Sequence, residues 1–172
     1  MAIAIAAGGS HSCAIQTGTG SVVCWGNSTY GQATPPAAVN GAAGTATAIA
    51  ASDLHSCAIQ TGTGNVVCWG DSTYGQATPP SSVNGTSGAA TAIAAGAYHS
   101  CAIQAGTGNV ICWGANFYGQ ATPPAAVDGT ATAISAGGFH MLAIAAPEPA
   151  AALVGAASLG SLLALARRRR LG

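Results

Sequence analysis

The chain has 172 residues, enough for one modest domain and an appendage. Its four basic residues, Arg167, Arg168, Arg169 and Arg170, sit together near the C-terminus; ahead of them lie only Asp53, Asp71, Asp128 and Glu148, and no lysine occurs. A body without cations cannot replace the counterions around phosphates, which excludes nucleic acid as a partner. A composition rich in Gly, Ala, Thr and Ser favours short strands and tight turns over a helical bundle.

In chain order, one phrase returns. His11 opens "HSCAIQTGTGSVVCWG", and near-copies open at His55 and His99, each 44 residues on. A shorter copy, "AISAGGFHMLAIAAPEP", carries His140 and stops after two strand-like runs. The units cover residues 1–44, 45–88 and 89–131, with a partial one over 132–145. Within one unit, residues 45–51 alternate small polar and apolar side chains and read as a strand. A second strand is expected over 55–60 and a third over 65–70, across the turn "TGTG". The stretch "DSTYGQATPP", residues 71–80, is loop. Three short strands per unit of this length suggest the blade of a β-propeller, with a β-solenoid as the alternative. The fold class is therefore all-β, a partial, open propeller of about three blades.

The cysteines follow from the hairpin. Folding residues 13–24 about Gly18 and Thr19, or about a four-residue loop 17–20, sets Cys13 opposite Cys24 in either case. Facing Cα atoms would lie about 4.5 or 5.5 Å apart, within disulfide reach. Cys57 and Cys68, and Cys101 and Cys112, repeat the arrangement. Three local disulfides are expected, which requires an oxidising compartment; buried free thiols are the alternative. His11, Cys13 and Cys24 also offer three metal ligands. Zinc sites space their cysteines more closely, though, and no fourth ligand recurs, so neither metal nor other cofactor is expected.

The histidine precedes the hairpin even where cysteine is missing, at His140, so its expected role is a hydrogen bond between blades. Trp25, Trp69 and Trp113 should lie on the sheet face opposite the cysteines, packed against the next blade. Tyr30, Tyr74 and Tyr118 stand in the loop with Asn27, Asp71, Asn116 and Phe117. Loop residues carry recognition more often than strands, so Tyr30, Asp71, Tyr74, Asn116, Phe117 and Tyr118 are the candidate binding surface. No carboxylate pair recurs and no serine–histidine–acid arrangement is visible, so an enzyme is not expected and no catalytic residue is assigned.

The repeats, over residues 1–145, resemble those of the regulator of chromosome condensation family, in the phrases His-Ser-Cys-Ala-Ile, Val-Cys-Trp-Gly and Tyr-Gly-Gln. They are most similar to bacterial members, a propeller-type β-lactamase inhibitory protein among them. The resemblance implies a propeller that often closes with seven blades. Its functions range over exchange factors, inhibitors and surface proteins.

From 146 to 172 the text changes. Pro147, Glu148 and Pro149 precede seventeen uncharged residues, 150–166, and then the four arginines. At 1.5 Å per residue those seventeen give roughly 25 Å of helix, short for a bilayer span, with the arginines held on the cytoplasmic side. The segment resembles the PEP-CTERM sorting signal of Gram-negative bacteria. That resemblance implies an exosortase-type sorting enzyme as partner, a passage through the membrane, and delivery to the cell envelope, surface or matrix. The expected function is a non-enzymatic, disulfide-stapled platform for a protein or glycan; an inhibitor of a secreted enzyme is the alternative. "MAIAIAAGGSHS" has no basic leader region, and Ile5 aligns with Ile49 inside a repeat strand. The chain is therefore expected to be the C-terminal part of a longer propeller. Open first and last blades would invite self-association.

Overall fold

The computed structural model describes residues 1–146. Among these residues, eleven strands form four antiparallel sheets. Sheet one holds β1 (Ala2–Ala7), β2 (His11–Gln16) and β3 (Val22–Gly26). Sheet two holds β4 (Ala46–Ala51), β5 (His55–Gln60) and β6 (Val66–Gly70). Sheet three holds β7 (Ala90–Ala95), β8 (His99–Gln104) and β9 (Val110–Gly114). Sheet four has two described strands, β10 (Ala131–Ala136) and β11 (Met141–Ala145). Apart from one 3-10 turn, Ala125–Val127, the described residues contain no helix. Among them no helix is long and apolar enough to cross a membrane. The expected span over 150–166 and the motif Pro147, Glu148, Pro149 lie outside the described residues.

Each sheet is a meander with the same register. His11 faces Gly26, Cys13 faces Cys24 and Ile15 faces Val22, and the two later units repeat these pairs. The connecting loop is the four-residue form: Gln16 N donates to Ser21 O, and Gly20 N donates back to Gln16 O. Gly18 and Gly20 have φ of 83° and 70°, which only glycine takes without strain. The "TGTG" phrase is therefore a geometric requirement of this hairpin.

The first strand of each unit is innermost and packs on that of the next, β1 on β4, β4 on β7 and β7 on β10. Gly8, Ser52, Gly96 and Gly137 line one central opening. The core lies between sheets. Cys13, Ile15, Val22 and Val39 of the first unit meet Ala46, Ala58 and Trp69 of the second. Ile59, Val66 and Val83 meet Ala90, Ala102 and Trp113 in the same way. These cores are small, with no side chain larger than one indole each, so covalent bracing matters more here than in a larger domain.

Candidate functional site

The cysteines form the three expected disulfides, Cys13–Cys24, Cys57–Cys68 and Cys101–Cys112. The Cα separations are 4.1, 4.0 and 4.0 Å, as the narrow, non-hydrogen-bonded pairing requires. Their sulfurs are spent in covalent bonds, so His11, Cys13 and Cys24 do not form a thiolate metal site. No cluster of three metal-ligating side chains occurs among the described residues.

The histidines bridge blades. His11 Nε2 lies 2.7 Å from Ser56 Oγ, and His55 Nε2 lies 2.8 Å from Ser100 Oγ. Each serine hydroxyl in turn donates to a loop carbonyl of the preceding unit, Gln32 O at 3.2 Å and Gln76 O at 3.1 Å. A hydroxyl has one proton to give, so the ring nitrogen must be the donor and Nε2 carries the hydrogen. At His55 the other nitrogen, Nδ1, lies 2.7 Å from Ser52 Oγ, a hydroxyl that also lies 3.1 Å from His55 O. Burial favours the neutral ring and pushes its pKa from 6.5 down to about 4, partly offset by Asp71. Burial also lowers His11 and His99. His99 has no serine to bridge to, because Met141 stands at that place in the fourth unit; neither of its ring nitrogens has a hydrogen-bond partner among the described residues.

The tryptophans lie on the face opposite the disulfides, but they reach backwards. Trp69 Nε1 donates to Gln32 O at 2.8 Å, and Trp113 Nε1 donates to Gln76 O at 2.9 Å. The expectation that they pack on the next blade is corrected: they pack on the preceding one. Alternation fixes the face of a strand but not which neighbour covers that face. Trp25 is 55% exposed, against 8% for Trp69 and 9% for Trp113.

The buried glutamines of the first two "YGQ" phrases, Gln32 and Gln76, are hubs that sequence reasoning missed. Gln76 Oε1 accepts from Tyr74 N, its Nε2 donates to Asp71 Oδ2 at 2.7 Å, and its carbonyl takes Trp113 and Ser100. Gln32 does the same with Asn27 as acceptor. Asp71 is therefore a turn brace, bonding Thr73 as well. Asn116 braces its own turn through Thr122 and Ala121 N.

The loops bring aromatic rings together on one rim. Tyr74 packs edge-on against Phe117 at 5.3 Å and Tyr98 at 5.6 Å. Tyr98 continues to Phe139 at 6.0 Å, and Phe139 meets Tyr118 edge-on at 5.8 Å. Tyr74, Phe117, Tyr118 and Phe139 are all exposed. Of the candidate surface residues, Tyr74, Phe117 and Tyr118 thus join one cluster. Tyr30 is exposed in the first unit but makes no aromatic pair among the described residues. Tyr98 and Phe139, each one residue before its histidine, are members that the sequence reading did not name.

Comparison with known proteins agrees with this geometry. Among curated proteins none matches the chain. Among solved structures, the ectodomain of the Physcomitrella patens receptor kinase CR4 superposes with a TM-score of 0.65 at 28% identity, covering 84% of this chain and 38% of that one. The CRINKLY WD40 ectodomain of the Arabidopsis thaliana receptor kinase ACR4 gives 0.63 at 25% identity, with 83% and 45% covered. Prp20p of Saccharomyces cerevisiae, whose structure is described with its binding to Gsp1p and histones, gives 0.62 at 19% identity, with 84% and 42% covered; at that identity it speaks for the fold alone. The chain spans less than half the length of each. The family model described as the regulator of chromosome condensation (RCC1) repeat matches residues 2–32, 46–76 and 90–120. Each match runs from the innermost strand to the glutamine of "YGQ", so the chain belongs to the RCC1-repeat family of β-propeller proteins.

Proposed function

We propose that this chain is a non-enzymatic binding platform displayed outside the cytoplasm, with the aromatic rim as its contact surface. The observation that carries the reading is the run of rings from Tyr74 to Tyr118, all exposed but the half-buried Tyr98, on a scaffold braced by three disulfides. Clustered exposed aromatics cost solubility and mark recognition surfaces. Disulfides in a bacterial or other mesophilic chain persist where thiols are oxidised. Two of the similar solved structures are receptor-kinase ectodomains, which supports an extracellular role for this repeat. The tail supplies the route: Pro147, Glu148 and Pro149, the apolar stretch and the four arginines would be read by an exosortase-type enzyme at the membrane, delivering the repeats to the envelope or matrix. The ligand is a glycan or a protein of that surface.

Adhesion tests the platform. The full chain, expressed in the oxidised state, should adhere to envelope material of the producing cells, and Phe117→Ala with Tyr118→Ala should abolish adhesion while the fold survives. Equal adhesion by the double variant removes the rim from the function. Deleting Arg167, Arg168, Arg169 and Arg170 tests the route: the protein should stay in the cell fraction with its tail uncut, as read by intact mass.

A further inference from the structure

The rim ends at a cavity of about 380 Å³, lined among others by Tyr118, Gln120, Thr122, Phe139 and His140. Its volume lies in the range of small-molecule sites, roughly 300–1,000 Å³. Gln120 is the matching glutamine of the third unit and is 6% exposed; its Oε1 accepts from Tyr118 N, yet its Nε2 has no acceptor among the described residues. The cause is local. Gln32 and Gln76 donate to Asn27 and Asp71, and the third unit has Ala115 at that position. A buried amide donor without an acceptor is costly, and here it borders a cavity walled by two exposed rings.

The same region is where the near-identical units differ. The residue before the histidine is Ser10, Leu54, Tyr98 and then Phe139; Thr29 and Thr73 give way to Phe117; and Asn27 and Asp71 give way to Ala115. In an otherwise repeated text, these replacements add rings and remove an internal acceptor at one place.

We propose that this cavity and its rim bind a neutral carbohydrate, a hexose unit within a polysaccharide. The proposal rests on the platform reading and names its ligand. Tyr118 and Phe139 offer apolar ring surface to the C–H face of the sugar, and Gln120 Nε2 donates to a ring hydroxyl. Thr122, whose hydroxyl is engaged by Asn116, borders the same space. The charge balance selects a neutral ligand. The only charged side chains among the described residues, histidines aside, are Asp53, Asp71 and Asp128, and no lysine or arginine is present there to hold a carboxylate, sulfate or phosphate.

The test is affinity electrophoresis of the full chain in native gels cast with neutral glucan, galactan or mannan, with polyanionic alginate for comparison. At least one neutral polymer should retard the protein, and alginate should not. Tyr118→Ala and Phe139→Ala should each raise the dissociation constant on the order of tenfold. Ala115→Asn restores the acceptor present in the first unit and should weaken binding by about threefold to tenfold while raising the melting temperature, a pairing that simple loss of structure would not give. Thr63→Ala, on the hairpin loop at the opposite end of a sheet, should bind as the parent. Lack of retardation by every neutral polymer overturns the proposal, as does equal retardation in alginate or by the ring variants. If the neutral gels fail but rim variants still lose adhesion to envelope material through a protease-sensitive receptor, the ligand is a protein and the platform stands. If rim variants change neither assay, both readings fall.

Discussion

Acidification should loosen the propeller through His55. In the folded chain its ring lies between Ser52 and Ser100, with its pKa pushed by burial from 6.5 to about 4. Unfolded, it titrates at 6.5. Above 6.5 neither state is charged, and the group takes nothing from stability. Below 6.5 the unfolded chain takes up a proton that the folded one refuses until about pH 4, so stability falls across that window. The whole shift corresponds to about 3 kcal/mol, and about 2 kcal/mol of it is already lost at pH 5. His11 and His99, also lowered by burial, act in the same direction. Ordinary carboxylates titrate lower and contribute little between pH 7 and 5. The assay is urea unfolding followed by tryptophan fluorescence at the two pH values, reading the buried Trp69 and Trp113. With a slope of roughly 2 kcal/mol per molar urea, the midpoint should drop by about 1 M. His55→Asn should start lower at pH 7, having lost the serine bonds, but show a much smaller drop. Coincident midpoints for the parent chain at pH 7 and 5, or an undiminished drop in the variant, would refute the neutral-ring account.

Two further outcomes concern the seams and the bridges. Trp69→Phe and Trp113→Phe each remove one donor to a buried carbonyl and should cost about 1 kcal/mol in the same unfolding assay, whereas Trp25→Phe, at a largely exposed ring, should be close to neutral. Reduction opens three loops, each closed by cysteines eleven residues apart, and should cost at most about 3 kcal/mol per bridge in the chain-entropy account. A melting curve with and without reductant reads this, and an unchanged curve would mean that the bridges add no stability.

The strands and bridges were legible because hairpin symmetry leaves little freedom. Once "TGTG" is the loop, the positions of Cys13 and Cys24 follow by counting outward, and Gly18 and Gly20 supply the positive φ that the loop needs. The histidine bridge was legible in kind, since His140 kept the residue where the cysteines were lost. The direction of the tryptophans was not, because both faces of an inner blade have a neighbour. Gln32 and Gln76 were passed over because a polar residue in a Gly-rich loop reads as solvent-facing; their recurrence in every "YGQ" was the available signal. The joining of Tyr98 and Phe139 to the rim was hidden for another reason. Each precedes a histidine in a different unit, and only the ring of sheets brings those turns beside the loops that carry Tyr74 and Tyr118.

The seam between the first and second sheets and that between the second and third use the same atoms: imidazole to serine, serine and indole to the glutamine carbonyl. A cut at either of these two seams exposes the same pair of complementary edges. Duplicating one unit by recombination between its nearly identical copies would therefore insert a blade whose donors and acceptors already fit on both sides. Such a gene can lengthen or shorten its product in whole-blade steps without any compensating mutation. The rim can then diverge copy by copy while the joints stay fixed.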